Sequence, residues 1–302
     1  VRRCFDAMNG TDSQSLEQAH QLNEAAISRN VGLVVETRPD MITPAEIAFM
    51  RKLGVTKVQM GAQSFDDGIL QRNCRGHSVE DTLNAVALLR ASGFKVVLHW
   101  MPNLLGATPE SDRLDFQRMW SAGFAPDEIK IYPTQLVKEA LLYILWEQGE
   151  YTPYSTKQLI KLITSIKPSI PEYCRVNRIV RDIPSNYIMG GSRRSSLRQD
   201  VQRELERNHQ RCRCIRCREI RGKPVELRDL QLNDFEFSPV DSREHFLGYS
   251  TTEDQLAGYL RLSFPQSPSS PEREKNREQL YRLIPELRDS ALIREVHVYG
   301  QS

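Results

Sequence analysis

Apolar positions along the first part of the chain switch repeatedly between two spacings. Residues 13–28 follow a helical period, and VGLVVE at 31–36 is a short apolar run of strand type. The alternation then repeats: helix over 43–53, strand over 57–60, helix over 78–92, strand over 94–100, helix over 109–122 and strand over 128–132. Thr43 precedes Pro44 and stands three residues before Glu46, the signature of a capped helix start. Strands separated by helices of this length predict an α/β fold with a parallel sheet, either a closed or partial barrel or a doubly wound sheet. The strands run into the tails TRPD, FDD, NLLGAT and TQLV. Polar and glycine-containing residues gathered at strand ends predict one shared ligand site beyond the carboxyl edge of the sheet.

After Tyr132 the texture changes. Helices are predicted over 141–148 and 154–166, and Pro168, Pro171 and Pro184 punctuate the next stretch. From Pro224 a new region begins, with a strand over 256–264, the break QSPSSPEREK, the helical NREQLYRL and the strand-like ALIREVHVYG. Its strands and long polar connection read as the opening of an α+β domain that stops at Ser302 before completion. The chain therefore divides into residues 1–170, 171–223 and 224–302.

Charge changes this picture in one place. The net charge over 302 residues is only +2, yet arginines crowd the segment 173–219. Arg175, Arg178, Arg181, Arg193, Arg194 and Arg198 fall close together, as a surface facing a phosphate backbone requires. The same segment closes on RCRCIRCRE, whose Cys212, Cys214 and Cys217 can bring three thiolates to one Zn2+. Tetrahedral zinc needs a fourth ligand, for which Cys4 is chosen over His209, with Cys74 and Cys174 further alternatives. The plain alternative is three unliganded thiols on a basic loop, a resting state easily oxidised. Six cysteines with this tight cluster suit a reduced cytoplasmic protein better than a disulfide scaffold. No apolar run reaches membrane-spanning length, and VRRCFDAMNG is unlike a secretory leader.

VETRPD, VQMGAQSFDD, CRGHSVEDT, KIYPTQLV, CRVNRIVRDIP, SSLRQDV, CRCIRCRE and IREVHVYGQS, read together, resemble the catalytic subunit of Elongator in its bacterial or archaeal single-protein form. The resemblance covers nearly the whole chain. It implies a radical S-adenosylmethionine domain of partial-barrel type, then a basic zinc-binding linker, then a GNAT-type acetyltransferase domain. It implies modification of the tRNA wobble uridine at C5, with acetyl-CoA giving a carboxymethyl-type group. Two departures accompany it. The three-cysteine motif for a [4Fe–4S] cluster is missing ahead of the first strands, and the sequence ends before the glycine-rich loop for CoA. The chain is thus expected to be an incomplete form, with cluster, S-adenosylmethionine and acetyl-CoA belonging to the longer protein.

The resemblance gives roles to particular residues. Glu36, Arg38, Gln59, Gln63, Arg72 and Arg75 are expected to bind the cofactor, Glu36 through its ammonium group and an arginine through its carboxylate. His99 and Tyr132 are assigned to the substrate base, although a lone strand histidine is more often a satisfied core residue. Glu295, His297 and Tyr299 alternate onto one face of the last strand and are placed beside the acetyl-CoA cleft. The six arginines are expected to hold the tRNA anticodon stem-loop, while a pocket reads the flipped base. A homodimer is left open. Two other classes compete: a non-catalytic zinc-containing RNA-binding module, and a metabolic barrel enzyme that would have no use for the arginines.

Overall fold

A computed structural model describes residues 1–222 and 224–299. Five strands, β1 (Leu33–Thr37), β2 (Val55–Gln63), β3 (Lys95–Trp100), β4 (Glu128–Ile131) and β5 (Arg175–Ile179), form one parallel sheet in the order β1-β2-β3-β4-β5. Helices α1 (Arg2–Asn9) and α2 (Leu16–Ala25) precede it. The crossovers carry α3 (Pro44–Lys52), then α4 (Asp67–Arg72) and α5 (Val79–Ala91), then α6 (Pro109–Ser121), and lastly α7 (Leu141–Glu147) and α8 (Thr156–Ile166). Strand order follows chain order without reversal, so right-handed crossovers all fall on the same side. The doubly wound alternative is therefore excluded.

Local chemistry sets the helix starts. Ser78 and Asp81 form a reciprocal capping box at α5, as do Thr108 and Ser111 at α6 and Ser155 and Gln158 at α8. Thr43 accepts the Glu46 N–H at the start of α3, with Pro44 where its missing N–H costs nothing. Strand alternation then separates the sheet faces. Val58, Met60, Val96, Leu98, Trp100, Ile129 and Ile131 are buried in the core beneath the helices. Lys57, Gln59, Lys95, His99, Glu128 and Lys130 occupy the opposite face, with Val97 among them, so that face is mostly polar.

The segment read from sequence as a separate basic linker, 171–223, contains β5 and so completes the parallel sheet. The alternation in RVNRI is obscured because its outward positions carry arginine and asparagine. The same segment supplies α9 (Leu197–Arg207) and the short α10 (Ile215–Arg218). Beyond it, β6 (Gln231–Phe237), β7 (Ser242–Ser250), β8 (Leu256–Pro265) and β9 (Leu292–Val298) form an antiparallel sheet in chain order, with α11 (Pro271–Leu283) between the last two. That is two more strands than the sequence pattern suggested, in the same architecture class.

The antiparallel sheet docks on the amino ends of the parallel strands through buried charge. Asp127, which immediately precedes β4, is fully buried and takes both Arg294 guanidinium nitrogens at 2.7 Å. It also accepts the Val96 N–H at 2.8 Å, and Arg261 and Arg90 stand at 3.4 and 3.9 Å. Arg294 continues to Glu244 at 2.7 Å and to the Phe94 carbonyl at 3.0 Å. Burial alone would raise the Asp127 pKa; Arg294, Arg261 and Arg90 overcome it and hold the carboxylate far below the usual range. Asp127→Asn preserves the shape but leaves three buried guanidiniums short of one counter-charge. We expect it to cost about 3–5 kcal/mol in denaturant unfolding, the range for breaking a buried pair; a loss below about 1 kcal/mol would contradict this role for Asp127.

Candidate functional site

The polar face of the parallel sheet leads to the carboxyl ends of its strands. Register places Glu36 of β1 opposite Gln59 of β2, and His99 of β3 opposite Lys130 of β4. His99 Nε2 lies 3.0 Å from Gln59 Oε1, so this nitrogen carries the hydrogen and donates it. The other ring nitrogen is 3.6 Å from Glu36 Oε1, too long for a hydrogen bond. Tyr132 packs edge-on against His99 with centroids 5.3 Å apart, and the Arg181 and Lys130 cations lie 5.5 and 5.8 Å from the tyrosine ring centre. Lys130 makes no ion pair among the described residues. Burial, then Lys130, then Arg181 push the His99 pKa down to about 3. The Glu36 side chain is 61% exposed, so its carboxylate is open to a ligand from solvent.

Beyond β2 the chain turns sharply at Gln63, which is buried at φ 68°. Gly61 makes room for this turn, since a Cβ there would sit 2.5 Å from Gln63 Nε2 and 3.6 Å from an Arg75 guanidinium nitrogen. Gln63 Oε1 and Arg75 Nε are both buried without a hydrogen-bond partner. One acceptor and one donor, at the end of β2 and in the turn after α4, are thus left without an internal partner. Arg38 is fastened to Asp40 at 2.6 Å and reaches the Gly76 carbonyl at 3.4 Å. Arg72 lies instead against Gly106 in the loop after β3.

The arginines predicted to bind nucleic acid divide into two sets. Arg178, Arg181, Arg193 and Arg194 surround a cavity of about 370 Å³ beyond the carboxyl end of β5. Arg178 is paired with Asp182 and Arg194 with Asp200, both at the protein surface. The other two are not surface residues, contrary to the sequence reading. Arg175 begins β5 and turns away, pairing with Glu219 at 2.8 Å and donating to the Tyr299 hydroxyl at 2.9 Å. Arg198 is half-buried and donates to the Val176 carbonyl at 3.1 Å.

Cys212, Cys214 and Cys217 come together as predicted, with all three sulfurs within 4.8 Å of one another. Without a metal the three sulfurs compete for protons: hydrogen bonds from Cys212 and Cys217 lower the Cys214 pKa well below a normal thiol, while that of Cys212 is raised. The donor set fits a thiophilic divalent ion such as Zn2+. Cys4 does not join it. This residue is exposed on α1, and among the described residues no fourth cysteine, histidine or carboxylate completes the group. Exposed His209, at φ 52°, and Cys74 and Cys174 are likewise outside it. Sequence reasoning passed over Lys167, 2% exposed, whose ammonium lies 3.7 Å from Cys217 Sγ.

Glu295, His297 and Tyr299 share one face of β9, as alternation requires: His297 and Tyr299 ring centres are 4.4 Å apart, and both stand near Tyr259. They face the amino ends of the parallel strands and do not join the carboxyl-end site. Glu295 is held by Lys95, by Arg261 at 2.9 Å and by the Tyr259 hydroxyl at 2.7 Å, an interlocked carboxylate. Its pKa is lowered to about 2, because Arg261 and Lys95 more than offset the effect of burial. Lys130, missed as a site residue, was detectable from its alternation with Glu128 in EIKI.

Residues 9–116 match the Radical SAM superfamily, and residues 126–207 match the Radical_SAM C-terminal domain. A protein of Dehalococcoides mccartyi named tRNA uridine(34) acetyltransferase is 40% identical over 99% of this chain. Human Elongator complex protein 3 is 30% identical over 99% of it. The chain spans 64% of the first relative's length and 54% of the second's. The solved structure of archaeal Methanocaldococcus infernus Elp3 with an N-terminal deletion has a TM-score of 0.88 and 38% identity, covering 99% of this chain and 69% of that one.

His99 is expected to stay neutral through the physiological range. Its proton uptake is depressed relative to an unfolded histidine near 6.5, so its contribution to stability falls as pH drops from about 6.5 towards 3. An NMR titration should show the His99 ring unprotonated at pH 5, with Lys130→Met moving its midpoint upward. A midpoint near 6.5 would contradict this environment.

Proposed function

This chain belongs to the Elp3 family, and from that premise we propose that it contributes the cofactor pocket and tRNA-positioning surface of an enzyme modifying the wobble uridine of tRNA. The observation that carries the reading is the polar row at the carboxyl ends of β1 to β4, set in a sheet whose other face is fully covered. On this reading the parallel sheet is a partial barrel and its inner, more polar face is the binding side.

S-adenosylmethionine fits the groups present. Glu36 offers an exposed carboxylate to the cofactor's ammonium, and the Arg75 guanidinium, whose Nε is orphaned, offers a donor to its carboxylate. Gln63 Oε1 supplies a further acceptor. His99 and Gln59, locked together, form a neutral floor, while Lys130 and Arg181, neither in an ion pair among the described residues, place positive charge beside it. Radical enzymes of this superfamily use the cofactor with a [4Fe–4S] cluster to reach carbon atoms that lack an acidic proton. The three neighbouring cysteines do not fit that cluster. They lie by Cys174 and Val176, on the side of β5 away from the polar row. We assign them zinc.

Arg178, Arg181, Arg193 and Arg194 are proposed to hold the anticodon stem-loop by its phosphates, since their cavity opens at the same sheet edge. A base extruded from the loop would then meet Tyr132 and Arg181. The antiparallel sheet is proposed to belong to a GNAT-type unit that uses acetyl-CoA. His297 and Tyr299 are its candidate polar groups, and Glu295 serves to hold the two sheets together.

Arg181→Gln combined with Arg193→Gln and Arg194→Gln should weaken tRNA binding across tRNA species. The slope of log affinity against log salt should become shallower by about 0.7–0.9 for each phosphate no longer bound. The arginines at 175 and 198, which are committed internally, provide the contrast: their removal should affect stability before binding. Unchanged affinity and slope in the triple variant would remove tRNA from this surface.

A further inference from the structure

The three-cysteine group has a charged neighbour that its sequence motif does not reveal. Lys167 lies in the 3-10 turn Lys167–Ser169 that ends α8. It is 2% exposed, and its ammonium has no carboxylate partner among the described residues. Its one side-chain hydrogen bond there is to Cys217 Sγ, at 3.7 Å. A buried ammonium is costly unless a charge of opposite sign compensates it. Thiolate sulfur supplies such a charge, and Lys167 has no other anionic group within reach among the described residues.

Arg198 approaches the same group from α9. It is anchored on the Val176 carbonyl of β5, the strand beside which the cysteine group lies. Ile215, next to Cys214, donates its N–H to the Cys174 carbonyl just before β5. Two cations from two separate helical elements therefore flank three sulfurs. Three thiolates around one divalent ion carry a net charge of −1, which is the charge that one buried ammonium balances.

We infer that Lys167 is a positioning residue of the metal centre, neutralising a three-thiolate zinc site and donating an N–H···S hydrogen bond to Cys217, with Arg198 as the second cation. This rests on the zinc reading of the three cysteines. The arrangement accounts for the presence of three protein ligands without a fourth among the described residues. Charge that a fourth protein thiolate would make harder to bury is here matched from outside the coordination sphere. Groups that hydrogen-bond to a metal's ligands orient those ligands and set the affinity of the ion.

The test is zinc retention by the purified chain during titration with a chromophoric chelator, alongside Co2+ substitution. The wild type should hold about one zinc per chain and show thiolate-to-cobalt charge-transfer absorption. Lys167→Met should release zinc at about 10–100-fold lower chelator concentration and alter the cobalt spectrum, with Lys167→Arg recovering most of the retention. Arg198→Gln should give a smaller loss in the same direction and keeps the test decisive if Lys167→Met does not fold. Wild-type retention with unchanged retention in the Lys167→Met and Arg198→Gln proteins would overturn this inference alone. No zinc in the wild type would overturn both it and the metal reading.

Discussion

The buried carboxylate of Asp127 is the point on which the two sheets depend. One oxygen receives the Val96 backbone N–H from β3, and the pair together receives Arg294 from β9. The interaction spans 167 positions of sequence. Desolvating one carboxylate and three guanidiniums is unfavourable for each group taken singly, and only the assembled cluster is tolerable. Glu244 and Glu295 extend the balance by taking Arg294 and Arg261 on their far sides. The contact therefore favours one relative placement of the sheets over any sliding apolar alternative. The amino ends of the parallel strands are occupied in this way, and the proposed ligand site is at their carboxyl ends.

That division explains the behaviour of similar residues in different places. Lys95 and Lys130 both lie on the polar face of the sheet, but Lys95 near the amino end is tied to Glu128 and Glu295. Lys130, nearer the carboxyl end, has no ion-pair partner among the described residues and stands beside a neutral histidine. Arg175 and Arg178 are three residues apart on one strand and serve opposite ends of it. One pairs with Glu219 and donates to the Tyr299 hydroxyl just past β9, and the other borders the basic cavity. Position along a strand thus decides whether a charge stabilises the fold or is available for binding.

The parallel sheet and its helices were legible because local signals agreed: capping residues at Thr43, Ser78 and Thr108 preceded periodic apolar runs, and the strands between were rich in valine and isoleucine. Strand β5 was hidden because arginine and asparagine take its polar positions, making it look like part of a basic loop. The cysteine triplet was legible from spacing alone, since all three ligands come from one turn. Its supposed fourth ligand, Cys4, and its actual neighbour, Lys167, both depend on distant packing that no local pattern encodes. Glu295 was recognised as a polar residue on the correct strand face. Its partners Lys95 and Arg261 come from different sheets, so its commitment to the fold was visible only once those sheets were assembled.

The cofactor pocket is proposed to lie at the carboxyl ends of β1 to β4. Its most direct test is a titration of ring-labelled-histidine protein with S-adenosylmethionine, followed by NMR with each histidine assigned by substitution. The His99 resonance is predicted to move with saturable dependence on cofactor, while His245 and His297, on the antiparallel sheet, stay in place. Movement of His297 with His99 unchanged would put the cofactor at the other end of the strands and contradict that claim.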